Sequence, residues 1–239
     1  VLSVMQKEGY ISQGSKELAS NSPLDKAKEG KLNKSQKKYC DYYIKKATDE
    51  VCAMLGITKY QLNNSGYEIY TNLDVNLQKN LFDNANNSQF FESDDVQSVQ
   101  IVVDNRQNAV VACYSSLGYD IKRQAGSVMK PIAVYAPAID MNLVSLATPV
   151  VDEKIDFGGY CPSNFNDKYY GETTIRDAIK KSRNSVAVKT LSYVGLPKSV
   201  QYISNFGVNL EYFDQNYAIA LGATANGVSP IEICSAYTA

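Results

Sequence analysis

The sequence predicts an α+β fold, and three observations carry that prediction. Two alternating β-rich runs lie close together between residues 96 and 116, and at least five helical patterns follow residue 127. Of the 239 residues, 44% are apolar, enough to bury a sizeable core. Two strands do not make a stable sheet by themselves, so further strands are expected beyond Ala239. A chain that opens at Val1 rather than Met reads as a piece of a longer protein, with room for a membrane anchor upstream.

The elements follow in order. Residues 1 to 20 read as two helical pieces meeting at a turn on Gly9, the second opened by Ser12. Residues 20 to 38, with Pro23 and a surplus of lysines, read as a solvated linker. Tyr39, Tyr43, Ala47, Val51 and Leu55 recur at fours, which predicts an amphipathic helix closed by Gly56. Tyr67 to Leu73 alternates as a strand, and Asp74 caps a helix running to about Asn86. Val99, Ile101 and Val103 alternate, Asn105 to Asn108 supply turn residues, and Ala109 to Tyr114 is β-rich, so a hairpin is predicted. Gly126 precedes an apolar segment, Ser127 to Leu146, that begins the helical part. Residues 158 to 171 form a polar loop. Thr173 or Thr174 caps a helix through about Lys181, Asn184 to Val194 is stopped by Gly195, and Pro197 opens one stopped by Gly207. Ser229-Pro230 opens the last.

Composition excludes several function classes. With no histidine, Ser-His-Asp and Cys-His sites are impossible, as are histidine-bearing zinc sites. The 24 basic and 25 acidic residues give a net charge of -1, which leaves no basic footprint for nucleic acid. Cys40, Cys52, Cys113, Cys161 and Cys234 show no C-x-x-C spacing and read as small apolar residues. No apolar run approaches the roughly 18 residues of a membrane helix, and no signal peptide opens the chain.

Without histidine, a serine is best deprotonated by a lysine held neutral beside it. Ser-x-x-Lys at a helix start provides this, because residues three apart share a face and the helix N-terminus disfavours a charged amine. Two matches occur. Ser35 to Lys38 lies among Lys31, Lys34 and Lys37, where an amine stays hydrated and charged. Ser127 to Lys130 follows Gly126 and opens the apolar run Ile132 to Ile139, which can bury the amine and lower its pKa. On spacing and setting alone, a serine N-cap followed by a surface lysine accounts for the same residues. Ser182-Arg183-Asn184 falls at a break between helices, where the hydroxyl can relay a proton and the amide can meet a substrate peptide bond. A helix cap is the plain alternative there.

In combination, Ser-x-x-Lys followed 55 residues later by Ser-x-Asn resembles the penicillin-binding proteins, which share a fold with the serine β-lactamases. Gly126-Ser127-Val128-Met129-Lys130-Pro131-Ile132 is similar to the nucleophile segment of the bifunctional, class A members. Tyr160-Cys161-Pro162-Ser163-Asn164-Phe165 and Gly171 to Ile179 resemble the loop and helix ahead of their second motif, Ser182 to Val188. Leu221-Gly222-Ala223 and Gly227-Val228-Ser229-Pro230 match the stretch downstream, with Ala223 in place of a family glycine. Tyr70 to Asp74 with Leu77-Gln78 resembles the strand and helix between the two catalytic domains, and Val1 to Ile11 the last helices of the glycosyltransferase domain.

The resemblance implies a tail of the glycosyltransferase domain over residues 1–24, an interdomain region over 25–95 and an incomplete transpeptidase domain over 96–239. It implies D-alanyl-D-alanine transpeptidation without a cofactor. Ser127 becomes the acylated nucleophile, Lys130 its base, Ser182 the proton shuttle, and Asn184 the holder of the substrate amide. The implied partners are stem peptides and β-lactams at the outer face of a bacterial membrane. The third family motif, Lys-Thr-Gly or Lys-Ser-Gly, is absent, since Lys189-Thr190 is followed by Leu191; truncation is the expected reason, and the piece alone is expected to be nearly inert. A β-lactam-sensing receptor and a non-catalytic scaffold are the alternatives, against which stand the glycosyltransferase-like start and the four intact site residues.

Overall fold

The computed structural model describes residues 2–21, 32–87, 91, 93, 95–118, 121–211 and 214–239. They fall into two compact units, one up to Lys37 and one from Lys38 to Ala239. The first contains α1 (Leu2–Lys7) and α2 (Gln13–Asn21). Gly9 turns the chain between them at φ +79°, and the hydroxyl of Ser12 accepts from the Ser15 N–H at 3.1 Å.

Helix α3 (Lys34–Leu55) starts five residues before the expected Tyr39. Asn33 and Gln36 explain the earlier start: each side chain accepts from the other's backbone N–H, at 2.9 and 2.8 Å, a reciprocal cap within the predicted linker. Residues 22–31 of that linker lie outside the described residues. A short α4 (Lys59–Asn64) carries a capping box built on Thr58 and Gln61. The strand expected over Tyr67–Leu73 does not form; residues 67–72 are exposed on both parities and enter no ladder. Asp74 does cap α5 (Val75–Ala85), accepting from the Asn76 and Leu77 N–H groups.

The predicted hairpin is present as β1 (Val99–Asp104) and β2 (Ala109–Ser115), antiparallel, with a bulge between Val102 and Val103. Gln78 of α5, fully buried, bonds both the N–H and the C=O of Cys113 and so fastens the helix to β2. Tyr43 of α3 donates to the Val110 carbonyl from the same unit.

From Gly126 the chain winds as a 3₁₀ turn (Gly126–Val128), a π turn (Pro131–Tyr135) and α6 (Ala136–Asp140). This run ends at Met141, short of Leu146, with Asn142 left-handed at φ +57°. A second antiparallel pair follows, β3 (Pro149–Asp152) with β4 (Gly171–Thr174), where the sequence predicts no strand: residues 149–152 fall in a stretch expected to be mostly helical, and Gly171 to Thr174 at the end of a polar loop and a helix cap. Then come α7 (Ile175–Lys180), α8 (Asn184–Val194), α9 (Leu196–Asn205), a 3₁₀ turn (Tyr217–Leu221) and α10 (Pro230–Ala236). Helix α8 is largely buried and runs through the core, where Val186, Val188 and Leu191 pack with Met129, Val134, Ile175, Ile203 and Ile219. None of the five cysteines is paired; Cys40 and Cys113 are buried, and Cys161 is exposed.

Candidate active site

Ser127 sits in the 3₁₀ turn at the head of the buried helical run, with its side chain exposed. Gly126 before it adopts φ +58°, and the backbone of Gly222 approaches so closely that a Cβ there would lie 2.3 Å from the Gly126 oxygen. Tyr237 donates its hydroxyl to the Val128 carbonyl at 2.7 Å, so the turn is held from two sides. One turn on, Lys130 faces inward and is only 2% exposed. The π turn follows at Pro131, whose missing N–H cannot bond the Ser127 carbonyl.

The second motif occupies the junction of α7 and α8. Helix α7 ends in a Schellman arrangement: the Arg183 N–H bonds the Ala178 carbonyl at 2.9 Å, and the Ser182 N–H bonds Ile179 at 3.0 Å. That places Ser182 at the left-handed position, φ +53°, where glycine is the usual occupant. Unlike glycine, it brings a hydroxyl to this position, which accepts from Lys130. Asn184 opens α8 directly after it.

The fold brings Lys130, Ser182 and Asn184 together across more than fifty residues of sequence. The Lys130 ammonium donates to the Ser182 carbonyl at 2.7 Å, to the Ser182 hydroxyl at 2.8 Å and to the Asn184 Oδ1 at 2.5 Å. Three acceptors match the three donors of the charged form. Burial nevertheless pushes the amine down to about 8, because the positive charge has lost its water. Once a proton leaves, the nitrogen has two donors and a lone pair to accept a serine proton. Asn184 Nδ2 gives one N–H to the Ser163 carbonyl at 2.7 Å, which leaves the amide its second N–H and a free lone pair on Oδ1.

Other sequence features fall elsewhere. Ser35 and Lys38 are exposed near the start of α3. Thr190, of the Lys189-Thr190-Leu191 run, is buried within α8 and bonds the Val186 carbonyl. An apolar cavity of about 600 Å³ lies between α3, the β1–β2 hairpin and α10, and none of the four site residues lines it. Sequence reasoning gave no role to Asp152, Ser163 or Asn164, which touch the second motif directly. The signal for Asp152 was its parity with buried Val150 in an alternating Pro-Val-Val-Asp run.

The family model for the penicillin-binding protein transpeptidase domain matches residues 98–239. The chain belongs to the penicillin-binding protein family, in its class A branch. It is 31% identical over 248 residues to penicillin-binding protein 1F of Bacillus subtilis, covering 99% of this chain and 34% of that protein. It is 31% identical over 261 residues to penicillin-binding protein 1A of Streptococcus pneumoniae, covering 100% and 36%. The chain therefore spans about a third of the length of these relatives. Among solved structures, the PonA1 protein of Mycobacterium tuberculosis in complex with penicillin V superposes with a TM-score of 0.71 at 21% identity, over 83% of this chain and 57% of that one. The mixed architecture with few strands is an incomplete version of the penicillin-binding protein transpeptidase fold.

Proposed function

We propose that this penicillin-binding protein performs peptidoglycan D,D-transpeptidation through an acyl-serine intermediate. The single observation that carries the reading is Lys130: a buried amine with a pKa of about 8, one helical turn after an exposed serine and bonded to both polar residues of the second motif. Lys130 in its neutral form takes the proton of Ser127 as Oγ attacks the penultimate D-alanyl carbonyl. The new C–O bond forms the ester, and the C–N bond to the terminal D-alanine breaks. The proton passes through the Ser182 hydroxyl to the leaving amine. An amine from a neighbouring stem peptide then attacks the ester, gives up its proton along the same route, and restores the Ser127 hydroxyl. Asn184 offers its spare N–H and lone pair to the donor's amide. A β-lactam enters as the donor and leaves an ester that hydrolyses slowly.

The wider assignments belong to the same proposal. Residues 1–24 are the tail of a glycosyltransferase domain, 25–95 an interdomain region, and 96–239 the transpeptidase part. From Lys38 onward, α3, α4 and α5 share one compact unit with the transpeptidase segment, so this part of the interdomain region packs against it. Class A relatives support a place at the outer face of a bacterial membrane, reached by an anchor outside this chain. Among the described residues no helix is long and apolar enough to cross a membrane.

The test is labelling of the full-length protein by a fluorescent penicillin. Wild type and Ser35→Ala should label, and Ser127→Ala should not. A label retained in Ser127→Ala overturns the assignment.

A further inference from the structure

We infer that Asp152 and Asn164 are positioning residues that hold the second motif at the height where it meets Lys130; the inference rests on the serine-acylation reading above. Helix α8 begins at Asn184, and its first N–H groups have no partner within the helix. The side chain of Arg183, at the cap position, makes no cap hydrogen bond. Asn164 supplies the cap from another segment: its Oδ1 accepts from the Asn184 N–H at 2.7 Å and from the Ser185 N–H at 3.3 Å.

Asn164 is itself held in one orientation. Its Nδ2 donates to Asp152 Oδ1 at 2.7 Å and to the Lys168 carbonyl at 3.0 Å. Flipping the amide would point its oxygen at a carboxylate and its NH₂ at two N–H donors. Asp152 also accepts from the Ser185 hydroxyl at 2.5 Å and from the Tyr170 N–H at 3.2 Å, and it forms an ion pair with Arg183, whose Nε lies 3.5 Å from Oδ2. Arg183 is fixed on its other face by the Tyr170 ring, whose centroid lies 3.5 Å from the guanidinium carbon.

Three consecutive residues of the motif region, 183 to 185, are thus tied to two side chains that are 1% and 5% exposed. Buried polar groups so completely bonded are rigid. Asp152 gets its own height from the β3–β4 ladder, where it pairs with Gly171. The bonds from Lys130 to Ser182 and Asn184, 2.5 to 2.8 Å long, tolerate little movement of the motif. A displacement of about 1 Å costs catalysis on the order of 10²-fold.

The experiment follows acylation of the full-length protein by a fluorescent penicillin, reading separately the fraction that labels and the rate constant at which it does so. Asn164→Ala should label to completion but about 10²-fold more slowly. Asp152→Asn, which keeps an acceptor for Asn164 and for the Ser185 hydroxyl, should lose less than Asp152→Ala. In an Asn184→Ala background, Asn164→Ala should cost much less than it does in wild type, because both act on one constellation. A role confined to stability gives a smaller labelled fraction at the wild-type rate, and that result in either Asn164→Ala or Asp152→Asn overturns the inference. Full additivity with Asn184→Ala overturns it too. Wild type that fails to label, or Ser127→Ala that labels, defeats the serine reading instead, whatever the Asn164 variants do.

Discussion

If Lys130 is the base, the rate of acylation must follow its neutral fraction. Burial places the amine at about 8, so about 1% is neutral at pH 6, about 10% at pH 7, about half at pH 8 and about 90% at pH 9. The second-order rate constant for acylation, measured at sub-saturating fluorescent penicillin, should rise about tenfold per pH unit up to pH 7 and then bend. Between pH 8 and 9 the gain should be less than about twofold. A hydrated lysine near 10.4 would still give close to tenfold over that last interval. Initial rates over short times keep hydrolysis of the probe out of the measurement. A profile flat from pH 6 to 9, or one climbing tenfold per unit beyond pH 9, refutes the buried neutral amine. The same burial has a sign in stability. The folded pKa lies below the unfolded one, so the unfolded chain holds more protons between about pH 8 and 10.5, and stability rises with pH across that window. The rise is on the order of 3 kcal/mol, present in full above the window and lost as pH falls through about 8.

Substitutions at Lys130, Ser182 and two glycines give further expected outcomes. Lys130→Arg should abolish labelling by fluorescent penicillin while preserving a cooperative melt, because a guanidinium is not deprotonated in proteins; a normal rate removes Lys130 as base. Ser182→Gly and Ser182→Ala should both slow acylation. The glycine variant should nevertheless be the more stable of the two by about 1 kcal/mol in urea, since position 182 is left-handed. Equal stability would mean that the left-handed cap carries no strain. Gly222→Ala should slow acylation by about 10²-fold, because its Cβ would sit 2.3 Å from the Gly126 oxygen and push the turn that carries Ser127. Gly207→Ala, also at positive φ but with nothing within 4 Å of the new Cβ, should keep its rate.

The elements legible in the sequence are those whose signal is local. The β1–β2 hairpin, the Asp74 cap of α5, the Thr173 or Thr174 start of α7 and the Ser229-Pro230 start of α10 each rest on residues within a few positions of one another. Tyr67–Leu73 has the alternation of a strand but pairs with no strand among the described residues, and alternation alone does not make a ladder. The β3–β4 pair was missed for the opposite reason. Its strands are four residues each and are separated by the loop from Glu153 to Tyr170, so pairing is decided by tertiary contacts that no short window contains. The candidate site divides along the same line. Ser127 and Lys130 are three residues apart and stand out as a motif, as do Ser182 and Asn184. The meeting of Lys130 with Ser182 and Asn184 over an interval of 52 to 54 residues, and the bracket formed by Asp152 and Asn164, depend on that strand pair and on the loop it closes.

One hydroxyl, activated by one buried amine, is expected to form the covalent intermediate. The most direct measurement is the mass and position of the adduct after the full-length protein reacts with penicillin and is digested under acid. A single added penicilloyl group is expected on the peptide that contains Ser127, with fragment ions placing it on that residue. An adduct on Ser182, on Ser35 or on any cysteine, with Ser127 unmodified, would contradict it.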